Sequence, residues 1–343
     1  MTKRALITGG AGFIGSHLAE ALLDRGYHVT IIDDLSTGNF ANIGRLVERD
    51  GSDGGPTFRF AIDTITNEVV LDRLASQCDV IFHLAAAVGV KLIMENPVHT
   101  LETNVMGTEV VLKAALRYRA KVLIASTSEV YGKGNRIPFR EDDDVVLGPT
   151  SRNRWGYAAS KMVDEFLALA YHHEKGLPVV IFRLFNTVGP RQSGQYGMVL
   201  PRFVEQALSE CGEPLTVHGD GQQSRCFLHV RDAVAAIIAL AECPSAVGQV
   251  FNVGSNEEIT MLDVARRVLR IVEPAHTSFE GPGATLKART VLVPYEEVYA
   301  NGFEDMRQRV PDLAKIKSYT GWAPSFSLEQ ILQDIVAYAQ SNP

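Results

Sequence analysis

What the chain lacks limits what it can be. Its 343 residues contain no apolar run approaching the roughly 18 residues of a membrane span, so no transmembrane helix is expected. They contain no CxxC pair. Cys78, Cys211, Cys226 and Cys243 lie far apart, as expected of reduced, structural thiols rather than a disulfide framework. There is no surplus of positive charge. Lys and Arg number 33 against 40 Asp and Glu, for a net charge of -7, which argues against nucleic-acid or anionic-membrane partners. The histidines form no ligand motif, and the adjacent pair His172-His173 cannot share a helix face, so no metal is expected. The start, Met1-Thr2-Lys3-Arg4-Ala5-Leu6-Ile7-Thr8, meets glycine before a secretory apolar segment forms, and a cytoplasmic location is expected.

What is present is an alternation of strand-like and helical stretches. Ala5-Leu6-Ile7 precedes a glycine turn and a helical stretch over 15–25. His28-Val29-Thr30-Ile31-Ile32, Phe58-Arg59-Phe60-Ala61-Ile62 and Val80-Ile81-Phe82-His83-Leu84 read as further strands. A helix is expected over 97–117, a fifth strand at Val122-Leu123-Ile124-Ala125, a long helix over 158–174 and a strand over 178–183. This order predicts an α/β fold, a doubly wound parallel sheet covered on both faces. After residue 186 the alternation weakens. The division expected is a dinucleotide-binding Rossmann domain over 1–186, joined by a segment near 227–255. A smaller, partly interleaved substrate domain then occupies most of 187–343. Glu141-Asp142-Asp143-Asp144 reads as a solvated acidic turn.

Thr8-Gly9-Gly10-Ala11-Gly12-Phe13-Ile14-Gly15 joins the first strand to the first helix. Glycines there let the backbone approach a pyrophosphate, and the helix start supplies free amides. Gly9, Gly12, Phe13, Ile14 and Gly15 are therefore candidate cofactor contacts. Asp33 ends the second strand. A carboxylate there can bond both ribose hydroxyls and repels a 2'-phosphate, favouring NAD over NADP; otherwise it is a turn residue. Asp63, after the third strand, could reach the adenine amine.

Tyr157-Ala158-Ala159-Ser160-Lys161 sets a phenol and an ammonium four residues apart at a helix start. A phenol ordinarily ionises near pH ~10. An adjacent ammonium and a cationic nicotinamide both favour phenolate, so Tyr157 could take a proton from a sugar hydroxyl. Thr127 supplies a hydroxyl beside the reacting oxygen.

With those residues in view, the chain resembles the extended short-chain dehydrogenase/reductases, in their NAD-dependent nucleotide-sugar epimerase/dehydratase branch. The marks are the glycine turn, His83-Leu84-Ala85-Ala86, Thr103-Asn104-Val105-Met106-Gly107-Thr108, Ser126-Thr127-Ser128-Glu129-Val130-Tyr131-Gly132, Tyr157 with Lys161, and Phe185-Asn186-Thr187-Val188-Gly189-Pro190-Arg191. The resemblance implies NAD as cofactor, Tyr157 and Lys161 beside it, and a UDP-sugar as substrate. It implies a homodimer through the helices over 97–117 and 158–174. It places Asn186 and Arg225 at the substrate diphosphate, with Ser128 and Arg191 among the substrate contacts. For Arg225, the turn Gly219-Asp220-Gly221-Gln222-Gln223-Ser224-Arg225 could itself present a guanidinium to phosphate; a surface salt bridge is the alternative.

Glu129 separates the branches. A 4-epimerase needs no extra carboxylate, whereas Thr-Ser-Glu resembles both UDP-glucuronate decarboxylases and GDP-mannose dehydratases. Asn153-Arg154-Trp155-Gly156-Tyr157, and the segment from Tyr299 to Pro311 with Arg309, resemble the decarboxylase domain of the 4-amino-arabinose lipid pathway. There the family uses arginine near the sugar carboxylate and as a candidate proton donor. Phe303 departs from that pattern, where tyrosine is usual, and Gly189-Pro190-Arg191-Gln192 is also an epimerase form. The expected function is NAD-dependent decarboxylation of UDP-glucuronate through a 4-keto intermediate. The alternatives are 4-epimerisation, 4,6-dehydration, or a non-catalytic NAD-binding protein. Glu129 would repel the substrate carboxylate until carbon dioxide leaves. A water-facing Glu129, and an Arg309 paired with Asp305 or Asp312, are the structural alternatives.

Overall fold

A computed structural model describes residues 3–48, 55–195, 197–209, 214–273, 289–298 and 305–342. Cys211 and Phe303 lie outside them. Six strands, β1 (Arg4–Thr8), β2 (His28–Asp33), β3 (Phe58–Ile62), β4 (Val80–His83), β5 (Lys121–Thr127) and β6 (Val179–Leu184), join the strand Gln249–Val253 in one sheet. The spatial order is Gln249–Val253, β6, β5, β4, β1, β2, β3, with every pairing parallel. The order reverses between β1 and β4, and a ligand crevice forms at the strand ends of such a switch point.

The strands are buried on both faces because alternate side chains serve different cores. Ala5, Ile7, Val29, Ile31 and Phe82 pack with Leu18, Leu22, Ala233 and Ile237, from the helices Phe13–Asp24 and Val230–Glu242. Their neighbours Leu6, Ile32, Ile81 and Val122 pack on the other face with Val111, Leu112 and Ala168, from the helices Gly107–Tyr118 and Arg154–Lys175. The expected doubly wound sheet is thus present. A third core, with Leu200, Phe203, Val217, Val264, Val268 and Ile331, builds the smaller C-terminal lobe.

Two helices differ from expectation. The stretch over 97–117 is Pro97–Leu101, a widened π-type turn Glu102–Met106, and then Gly107–Tyr118. At the wide turn the Asn104 side chain serves the loop after β4. Its Oδ1 accepts from Ala87 N at 2.8 Å and its Nδ2 donates to Ser160 Oγ at 3.0 Å. The long helix begins at Arg154 rather than 158. One helical turn now separates Arg154 from Tyr157, so both lie on a similar face. The acidic turn is not simply solvated, since Glu141 Oε1 accepts from Asn252 N at 2.8 Å.

Candidate active site

A cavity of about 670 Å³ runs from the glycine turn, across the ends of the strands, to the C-terminal lobe. At one end the backbone itself makes the site. Gly9 has φ +71°, and a Cβ there would meet Ala85 N at 2.8 Å. A Cβ on Gly15 would stand 2.1 Å from Gly9 O. The strand, turn and helix can therefore close only without side chains, leaving a backbone-lined cradle at a helix start. Gly9, Gly12, Phe13, Ile14, Gly15, Asp33 and Asp63 all line the cavity. Asp33 accepts from Ala11 N and Leu35 N, each at 2.9 Å. Burial pushes its carboxyl up, and those amides oppose the push. Asp63 is tied to its own loop by Thr64 N at 2.8 Å and Asn67 Nδ2 at 3.0 Å.

Thr127, Ser128, Glu129, Arg154 and Tyr157 line the middle. Thr127 ends β5, and the chain turns at once into a short helix, Ser128–Tyr131, where its hydroxyl accepts from Glu129 N at 3.2 Å. That turn points Glu129 into the cavity wall. Arg154 Nη1 donates to Glu129 Oε2, and Arg309 Nη1 reaches Glu129 Oε1 at 3.4 Å. Burial pushes the Glu129 carboxyl up, but the two guanidiniums reverse this and hold it below the usual range. Beside this group, Arg225 Nη2 donates to Asp305 Oδ2 at 2.8 Å, with Tyr295 OH on the same oxygen at 3.1 Å. Three guanidiniums thus face two carboxylates in the cavity wall, leaving one positive charge. Buried charge without a partner is costly. The Arg309 Nε, buried, meets no acceptor among the described residues. Burial and then the Arg225 cation pull Arg309 down to about 10, so it stays charged at neutral pH. The surplus charge and the open donor suit an anionic ligand group.

Glu129 therefore faces neither water nor an apolar wall, and Arg309 pairs with Glu129 rather than Asp305 or Asp312. Arg225 is a buried partner of Asp305, not a surface pair.

Asn186 and Arg191 also line the cavity. Arg191 Nη2 bonds Glu20 at 2.9 Å and its Nη1 reaches Ser16 at 3.3 Å, which ties it to the helix at the glycine end. Asn186 donates to Cys226 O at 3.0 Å. Tyr157 and Lys161 differ in their surroundings. The phenol lines the cavity, whereas Lys161 does not, and its Nζ donates to Asp164 at 2.7 Å. Burial pushes the Tyr157 phenol up, as does Glu129; the Thr127 hydroxyl and Arg154 oppose this.

Arg154, Asp305 and Asp164 had no place among the expected site residues. Arg154 was signalled by its place three residues before Tyr157. Nothing local in the sequence marks the burial of Asp164.

Fold and cavity together are those of a dinucleotide-binding α/β protein whose second lobe faces a cationic ligand pocket. The profile of the GDP-mannose 4,6 dehydratase family matches residues 6–335. A UDP-N-acetyl-alpha-D-glucosaminuronate decarboxylase of Bacillus cytotoxicus is 43% identical over 339 residues, covering 98% of each chain. UDP-glucuronic acid decarboxylase 1 of Arabidopsis thaliana is 36% identical, over 97% of this chain and 69% of that one. A UDP-glucuronic acid 4-epimerase of Bacillus cereus, solved with a fluorinated UDP-glucuronic acid and NAD, superposes with a TM-score of 0.82. It is 28% identical, over 98% of this chain and 99% of that one. The chain belongs to the GDP-mannose 4,6 dehydratase family, within the extended short-chain dehydrogenase/reductases.

Among the described residues, Cys78, Cys226 and Cys243 are free thiols. No described helix is long and apolar enough to cross a membrane.

Proposed function

We propose that the protein is an NAD-dependent decarboxylase of a UDP-linked hexuronate, working through a 4-keto intermediate. The observation that carries this reading is Glu129, buried in the cavity wall between Arg154 and Arg309. An epimerase has no use for that carboxylate. The related decarboxylases of glucuronate and N-acetylglucosaminuronate supply the substrate class.

Gly9, Gly12, Gly15 and Asp33 would hold NAD at the glycine-turn end, where it would supply a hydride acceptor for carbon 4 of the sugar. Tyr157 takes the proton of the 4-hydroxyl, and Thr127 holds the same oxygen. The product is a β-keto acid. Its carbon 5–carboxylate bond then breaks, carbon dioxide departs, and the electron pair passes into the enolate of the 4-ketone. Arg309 and Arg154 receive the carboxylate. To do so they must share it with Glu129, whose charge opposes the substrate anion. That repulsion weakens binding of the uronate and ends as neutral carbon dioxide leaves, so it lowers the barrier to that step at the expense of affinity. Carbon 5 regains a proton, with Arg309 as its donor, and the 4-keto pentose either would take the hydride back at carbon 4 to give the UDP-pentose or would leave as the ketone, the reduced cofactor then being exchanged. Asn186 and Arg225 take the diphosphate side.

The protein works in the cytoplasm as a homodimer. Val98, Leu101, Met106, Val163 and Phe166 stand exposed on the helices flanking β5, and Phe166 is 66% exposed. An apolar set of this kind marks an interface.

The test is incubation of the NAD-loaded protein with UDP-glucuronate, UDP-N-acetylglucosaminuronate and UDP-glucose. Carbon dioxide from either uronate is expected. A uronate returned only as its 4-epimer, with no gas, overturns decarboxylation in favour of epimerisation.

A further inference from the structure

Lys161 does not stand alone behind the phenol. One turn further along the same helix, Asp164 Oδ2 accepts from its Nζ at 2.7 Å. Both residues are sealed from solvent and neither lines the cavity. Around Asp164 runs a buried chain of groups from three elements. Its carboxyl is pushed up by burial, while Lys161 and the Thr108 hydroxyl hold it down. Thr108 Oγ1 lies 3.0 Å from His83 Nε2, and His83 Nδ1 lies 2.8 Å from Thr8 Oγ1. Burial holds His83 neutral, down to about 3. Asp164 Oδ1 is buried without a hydrogen-bond partner among the described residues, and its Oδ2 is held by the Lys161 ammonium.

The groups facing Tyr157 are Thr127 and Glu129 from the end of β5, and Arg154, Lys161 and Asp164 from its own helix. Those facing Asp164 are Lys161, Thr108 and Glu165; Glu165 is itself paired to Arg183 at 2.7 Å. A buried ion pair is weak evidence for stability alone, since apolar replacements are often neutral. Here the ammonium of the pair lies one helical turn from Tyr157 on the same helix.

We propose that Asp164 is a positioning residue for the base Tyr157, acting through Lys161: it fixes the ammonium and offsets part of its charge. This rests on the base role of Tyr157 given above. The alternative is a purely structural ion pair that stabilises the helix and leaves the chemistry alone.

Asp164→Asn keeps the shape and an acceptor for Lys161 but removes the charge. The ammonium then acts on the phenol without offset, and the phenol ionises more easily. In the NAD-loaded enzyme, the acid limb of kcat/KM against pH is expected to move down by about one unit, a tenfold change in phenolate below the limb. Asp164→Glu, which keeps the charge, returns the limb toward its wild-type place. A limb that stays fixed while the unfolding midpoint and the rate at every pH fall together overturns the proposal. Should the Asn variant not fold, Asp164→Ser carries the test: it removes the same charge with a shorter polar side chain, and the limb again moves down; no movement overturns the proposal there too. Tyr157→Phe separates the two claims. If it retains turnover, the base role fails. If it is inactive while the Asp164 variants leave the limb unmoved, the role of Asp164 alone fails.

Discussion

Glu129→Gln keeps the length and shape of the side chain and removes its charge. In the wild type, Glu129 answers Arg154 and Arg309, whose side chains are 2% and 13% exposed. In the variant three guanidiniums would face Asp305 alone. Removing one partner of a buried ion pair costs about 3–5 kcal/mol. Gln still accepts a hydrogen bond and the group borders a cavity, so the lower end, about 3 kcal/mol, is expected. The pH dependence has a definite sign. Arg154 and Arg309 hold the folded carboxyl below its ordinary 4.5. A group lowered on folding stabilises fully above its unfolded value, and the gain is lost as pH falls through the folded one. Urea unfolding should therefore show the full gap between wild type and variant at neutral pH. The gap should shrink as pH falls below 4.5. Kinetics supply the second arm. With Glu129 neutral, a uronate should bind more tightly, oxidation at carbon 4, followed by NADH absorbance, should survive, and carbon dioxide release should fall much further. A stability gap unchanged in acid, or equal loss of both steps, refutes the reasoning.

Tyr157→Phe should abolish turnover and leave NAD binding, measured by equilibrium titration, close to wild type; full activity would remove the phenol from its role. Asp33→Ser should lose affinity for NAD and narrow its preference over NADP, by about tenfold for one lost charge-assisted pair of hydrogen bonds; an unchanged ratio would show that Asp33 serves only Ala11 and Leu35. Phe166→Glu should yield a monomer by light scattering with the cavity chemistry retained per chain if the exposed apolar helices form the dimer; an unaltered dimer places the interface elsewhere.

Much of this protein is written locally. The glycine turn is legible because Gly9 and Gly15 answer a backbone constraint: a Cβ at either would strike main-chain atoms. The sheet is legible because β5 and β6 carry continuous apolar runs, Val122-Leu123-Ile124-Ala125 and Val179-Val180-Ile181-Phe182, a pattern that suits a parallel sheet covered on both faces. The positions of Tyr157 and Glu129 follow from the same local grammar, a strand end and a helix start.

What the sequence could not fix is which charge meets which. Arg309 lies 180 residues from Glu129 and Asp305 lies 80 from Arg225. A local pattern carries no term for such separations, and electrostatic pairing is decided by burial and distance once the chain has closed. The same holds for Lys161. Its spacing from Tyr157 suggested a partner for the phenol, but the interior offered a carboxylate at hydrogen-bonding distance, and in a low-dielectric setting the ammonium goes to the anion. The sequence alone determined the scaffold, the cofactor cradle and the kinds of side chain brought to the site. Only the tertiary structure decided how their charges are shared, because that depends on the exclusion of water from all of them together.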